Sequence, residues 1–221
     1  MKSLNLAPYL TSWLAYWLGI MGFVSFILKP IGFTYDEYAV VLCAFYLISS
    51  IVAVRIFSFN DYYRKIHRPQ RQVCLIFCLC IVFAVVPIIY FKYYPLLSIF
   101  LEDIIKSKIL FPLFQFDTQL TKLFDILFQQ VLIFCLVNYL KNKYTALKSV
   151  GIFSVIFFVL HLPLFIVFQL NALVFILPAF VAGGIFAYLL IRYRYGLIYS
   201  ILLHMSYYIC FGVLLRSYKL L

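Results

Sequence analysis

Ile152–Pro163 reads IFSVIFFVLHLP, and Leu202–Ile209 reads LLHMSYYI. Each sets one histidine into an otherwise apolar run. The chain has three histidines, and these two sit where a bilayer should be. An imidazole in hydrocarbon is costly, so it faces the protein interior and finds a partner there. Two such rings on separate helices predict one shared polar site. A third stretch, Leu123–Val137, LFDILFQQVLIFCLV, adds Asp125, Gln129 and Gln130.

Composition sets the class around these stretches. Of 221 residues, 67% are hydrophobic, 21% aromatic and 11% charged, with a mean hydropathy of +1.07. Soluble domains hold about 25% charged residues. The expectation is an all-α, polytopic transmembrane helical bundle forming a single domain over residues 1–221. Net charge is +11. The basic residues cluster in short connections between apolar runs, which points to membrane topology and away from nucleic acid.

A crossing helix needs ~20 mostly apolar residues. By that measure there are about seven spans (seven to eight), near residues 8–28, 38–57, 73–91, 120–140, 149–169, 173–191 and 197–215. Between the third and fourth, PLLSIFLEDIIKSKILF alternates apolar and charged residues at helical spacing. It predicts an amphipathic helix lying at the interface. The second, fourth and sixth connections are the basic ones, at net +4, +3 and +2. With seven spans all three fall on one side, which predicts a cytoplasmic N-terminus. The basic tail, with Arg216 and Lys219, is the one violation.

His67 lies in a polar loop and reads as solvated. Cys74, Cys78 and Cys80 echo ligand spacing, but their segment has no histidine or turn residue, so they read as small core residues. At ~1.5 Å per residue, Gln129, His161 and His204 fall within roughly a third of the bilayer thickness of one another. Asp125 and Gln129 are four apart and share a helix face, as do His204 and Tyr208. Gln130 points about 100° away from Gln129. Pro163 has no backbone N–H to donate, which leaves a carbonyl near Val159 free. Ala179, Gly183 and Ala187, at spacings of four, predict a groove for close helix packing. Each polar residue alone also fits a plain inter-helix hydrogen bond, and Asp125 alone fits a solvated interfacial position.

Taken in order, these motifs resemble the CPBP family, the type II CAAX-endopeptidase and bacteriocin-processing (Abi) group of intramembrane proteases. That family carries paired glutamates followed by an arginine, then a phenylalanine four before a histidine, then a histidine four before an asparagine. FFVLH supplies Phe157 and His161, and Gly183, Gly196, Ser200 and His204 fall at familiar places. The resemblance covers roughly residues 120 to 215. Gln129 and Gln130 stand where the glutamates belong, Phe134 where the arginine belongs, and Tyr208 where the asparagine belongs. The missing arginine and asparagine speak against engineered glutamines.

The resemblance implies peptide-bond hydrolysis near the membrane on a hydrophobic or lipidated peptide. Asp125 would be a relocated base, His161 and His204 the acid and orienting groups or ligands of a divalent metal such as zinc, and Tyr208 an oxyanion donor. A glutamine amide has no useful basicity near neutral pH. The rival expectation is therefore a non-catalytic pseudoprotease that binds a membrane peptide in the same cavity. A transporter-like site would call for an internal repeat, and the halves show no clear one.

Overall fold

A computed structural model describes residues 6–35, 37–57, 116–168 and 172–217. They are mostly helical, and no strand occurs among them. The helices are α1 (Leu6–Phe23), α2 (Ala39–Ile56), α3 (Phe116–Lys143), α4 (Ala146–His161), a short α5 (Leu164–Phe168), α6 (Leu173–Arg192) and α7 (Gly196–Ser217). Four segments are long and apolar enough to cross a membrane: Leu6–Ile31, Ala39–Ile56, Asp117–Lys143 and Ala146–Ile166. A shorter apolar stretch, Ile176–Arg192, lies in α6. The expected count of seven spans is thus not reached among the described residues. The expected third span, the interfacial helix, His67 and the cysteine cluster at Cys74 lie outside them.

α1 is apolar all round, as a membrane helix is. It runs on through a π-helical turn, Val24–Leu28, and a 3-10 turn, Lys29–Ile31. Gly32, at φ 94°, then reverses the chain. A left-handed residue here is best filled by glycine, which has no Cβ to clash.

α3 is the hub. From Ile126 to Val137 every side chain but Leu127 is buried, because helices surround it. α1 lies antiparallel along it through Tyr9, Trp13 and Trp17, which recur every four residues. Trp13 Nε1 donates to the Leu132 carbonyl at 2.8 Å, and the Tyr9 hydroxyl donates to the Cys135 carbonyl at 3.2 Å. α2 packs on another side of α3 through Leu42 and Tyr46, both fully buried.

α4 and α6 pack face to face. A Cβ at Gly183 would stand 2.9 Å from the Phe157 Cβ, and one at Gly184 would stand 2.9 Å from Ser154 Oγ. Small residues let the backbones approach this closely. Ser154 Oγ also donates to the Phe180 carbonyl at 2.9 Å. α4 ends at His161, two residues before Pro163. The Val159 carbonyl, stripped of its helical donor by the proline, accepts instead from the Leu162 amide at 3.1 Å. α7 returns along α3 in the opposite direction.

Candidate functional site

α3 supplies three polar residues at helical spacing, Lys122, Asp125 and Gln129. Asp125 is 1% exposed, so its carboxylate needs partners. It accepts from Lys122 Nζ at 2.6 Å and from Gln129 Nε2 at 2.8 Å. The Tyr35 hydroxyl, 3.4 Å away, donates to it as well. Tyr35 belongs to the α1–α2 connection, and its hydroxyl also pairs with that of Tyr46 on α2 at 2.8 Å. Burial, and then the Asp125 charge, hold the Tyr35 pKa well above the ordinary tyrosine value. Thr121 Oγ1 fixes the connection by donating to the Tyr35 carbonyl at 3.0 Å.

The Lys122 ammonium lies 4.6 Å from the centre of the Tyr208 ring on α7. A cation over an aromatic face is attracted to its negative quadrupole. Tyr208 in turn stacks on His204, with centroids 5.3 Å apart and planes 28° from parallel. On the other edge of that imidazole, Gln130 Nε2 donates to His204 Nδ1 at 3.0 Å. With Nδ1 accepting, the ring proton sits on Nε2. The Gln130 carbonyl oxygen is buried and has no hydrogen-bond partner among the described residues.

His161 carries the opposite tautomer. Its Nδ1 donates to the Phe157 carbonyl one turn back, at 2.7 Å, which leaves Nε2 as an acceptor. The Phe157 ring meets it edge-on, centroids 4.6 Å apart. Phe157 is itself clamped by Gly183, so the groove on α6 fixes where this imidazole stands.

These side chains meet at a cavity of about 790 Å³ bounded by α1, α3, α4, α6 and α7. Its wall is mostly apolar; Lys122, Gln129, His161, His204 and Tyr208 supply most of its polar groups. Four of the six expected site residues therefore share one space: Gln129, His161, His204 and Tyr208. The other two, Asp125 and Gln130, stand behind the wall. Asp125 supports Lys122 and Gln129, and Gln130 supports His204. Asp125 is not a solvated interfacial carboxylate. Its helix begins at Phe116, earlier than the hydropathy predicts, and carries it inside.

Lys122 was not singled out from the sequence, although it falls just inside the fourth expected span. An Asp three residues after a Lys, at the mouth of an apolar run, is the signal that could have found it. Tyr35 and Tyr46 carry no such signal.

The donor set suits hydrogen bonding better than metal binding. Two imidazoles and one amide face the cavity, an ammonium stands among them, and among the described residues the nearby carboxylate, Asp125, is committed to that ammonium. Among the described residues no three His, Cys, Asp or Glu side chains are grouped to hold a metal ion. A dication favours anionic ligands, and none of the described residues on this wall supplies one. Chemically, the cavity offers a positive charge, an N–H at His204, an acceptor nitrogen at His161 and an amide at Gln129. Compared with protein-family models, with curated proteins and with solved structures, the chain matches none of them.

Proposed function

We propose that this chain is a membrane-embedded binding protein, built on a frame like that of the CPBP intramembrane peptidases, that holds an apolar or lipidated peptide without cutting it. The observation that carries this reading is the charge of the cavity wall. No carboxylate among the described residues lines it, and the nearest, Asp125, is tied to an ammonium at 2.6 Å. A general base must lie within hydrogen-bond reach of the proton it takes, and Asp125 stands behind the cavity wall. The glutamines cannot take a proton in its place. What remains suits recognition. His161 and Gln129 can accept from or donate to peptide groups, while the apolar wall takes side chains or a lipid chain.

Mixing the purified protein in lipid nanodiscs with a mixture of apolar and lipidated peptides tests this. Peptides should be retained, retention should fall on Gln129→Leu or His161→Leu, and mass spectrometry should find no fragments. Fragments that vanish in His161→Leu would replace this reading with hydrolysis.

One observation favours that second reading. His161 has its Nδ1 committed and its Nε2 open, which is the arrangement of a general base in many hydrolases. Such an enzyme would activate water at His161 and steady the oxyanion with His204 and Lys122.

The proposed orientation places the basic connections inside. Lys141, at the end of α3, reaches the Ile191 carbonyl at the end of α6, 3.5 Å away. The connections carrying Lys143, Lys148, Arg192 and Arg194 thus share one end of the bundle. By the excess of basic residues that end is cytoplasmic.

A further inference from the structure

A membrane-buried ion pair has a direction. Lys122 lines the cavity and Asp125 does not. The pair therefore turns its positive pole toward the cavity and its negative pole into the protein, toward Tyr35 and Tyr46. In a medium of low dielectric such a dipole acts at full strength over several ångströms. A second donor faces the same space, the Nε2–H of His204, whose tautomer is set from behind by Gln130. The groups opposing an anion are the lone pair of His161 Nε2, the carbonyl oxygen of Gln129, whose amide nitrogen is turned to Asp125, and the ring face of Tyr208, which the ammonium already covers. No acidic side chain among the described residues lines the wall.

The rest of the cavity is apolar and reaches the lipid-facing surface. Leu18 of α1 is 53% exposed, Val181 of α6 is 59% exposed and Leu203 of α7 is 39% exposed, and all three line it. A guest can therefore keep its tail among lipid-facing side chains while its head meets Lys122.

We infer that the polar end of this cavity binds the anionic head of a single-chain amphiphile drawn from the bilayer, with Lys122 and His204 as the recognising groups. A long-chain carboxylate and a lysophospholipid-type phosphate share the required chemistry. The inference rests on the reading of the cavity as a pocket for an apolar chain, and not on the peptide assignment.

Trp17 lies on the cavity wall and gives a direct readout. The chain has two tryptophans, so Trp13→Phe leaves Trp17 as the only indole. This variant, in nanodiscs of unbrominated zwitterionic lipid at alkaline pH, is titrated with dibromostearate, with a dibrominated lysophosphatidate and with dibromostearyl alcohol. Bromine quenches indole on contact. Expected is saturable quenching by at least one anionic probe at about tenfold lower concentration than by the alcohol, a preference of about 1.4 kcal/mol. Which anion performs better identifies the source of the head group. The paired substitution Lys122→Gln with Asp125→Asn keeps the shapes and removes both charges, so it should erase the preference while the alcohol still quenches. Equal quenching by acid and alcohol, or a preference that survives the paired substitution, overturns the charge inference alone. Absence of saturable quenching by any probe overturns the apolar-chain reading, and this inference falls with it.

Discussion

A buried ammonium dictates its own surroundings. Lys122 is buried among helices, so the carboxylate of Asp125 follows from it as a counter-charge. The amide of Gln129 and the hydroxyl of Tyr35 follow from the carboxylate, because its remaining lone pairs also need donors. Breaking such a pair from one side is costlier than removing both members. Asp125→Asn should therefore destabilise the folded state by about 3–5 kcal/mol, since it strands the Lys122 charge. The paired substitution with Lys122→Gln should regain most of that loss. Unfolding by SDS titration in mixed micelles checks both, and equal losses for the single and paired variants would argue against a coupled pair. His204 follows the same rule on a smaller scale. Gln130→Leu would leave the His204 Nδ1 without its donor, at a cost of about 0.6–1.7 kcal/mol in a membrane bundle.

Between elements, contact distance decides. α4 and α6 meet where Gly183 faces Phe157, and a side chain at that glycine must push the phenylalanine aside. Gly183→Leu is expected to cost about 1–3 kcal/mol through overpacking and to displace His161, which leans on Phe157. Peptide retention should drop along with stability. Gly151 on α4 offers the contrast, since nothing lies within 4 Å of a Cβ built there. Gly151→Ala should leave stability unchanged or raise it by up to about 1 kcal/mol through helix propensity. Comparable losses at both glycines would show that helix propensity, and not the α4–α6 contact, governs this pair. α1 is held to α3 differently. Its aromatic stripe hydrogen-bonds to backbone carbonyls of α3, because in lipid such bonds replace the hydrophobic drive that soluble helices use.

At the scale of the molecule, charge separates two ends. One carries Lys141, Lys143, Lys148, Arg192 and Arg194 with no acidic residue among those connections. The other, where Tyr35 meets α3, mixes Lys29 with Glu37 and Asp117. Single cysteines at Thr145 and Arg194, in a background cleared of native cysteines, should react with a membrane-impermeant maleimide only from the cytoplasmic side. A cysteine at Phe33 should react only from the opposite side. Labelling of Thr145→Cys and Phe33→Cys from the same side would refute the arrangement.

What the sequence determined by itself was the class and much of the punctuation. Length and hydropathy are local properties, so helices over residues 39–56 and 196–217 appear close to where the pattern puts them. Pro163 acts on its own backbone, and the Val159 carbonyl it leaves without a helical donor turns to the Leu162 amide. The polar residues that converge were also legible as a set, because any imidazole or amide in so apolar a run needs a partner. Which partner it takes depends on residues far away in the chain, and only the packed bundle decides that. Tertiary structure turned Gln129 toward the cavity and Gln130 away from it, drew Lys122 inside, and placed Asp125 behind the wall under a tyrosine from another connection. The reason is electrostatic: a charge in lipid is stabilised by neighbours supplied by several helices, and no stretch of sequence carries them all.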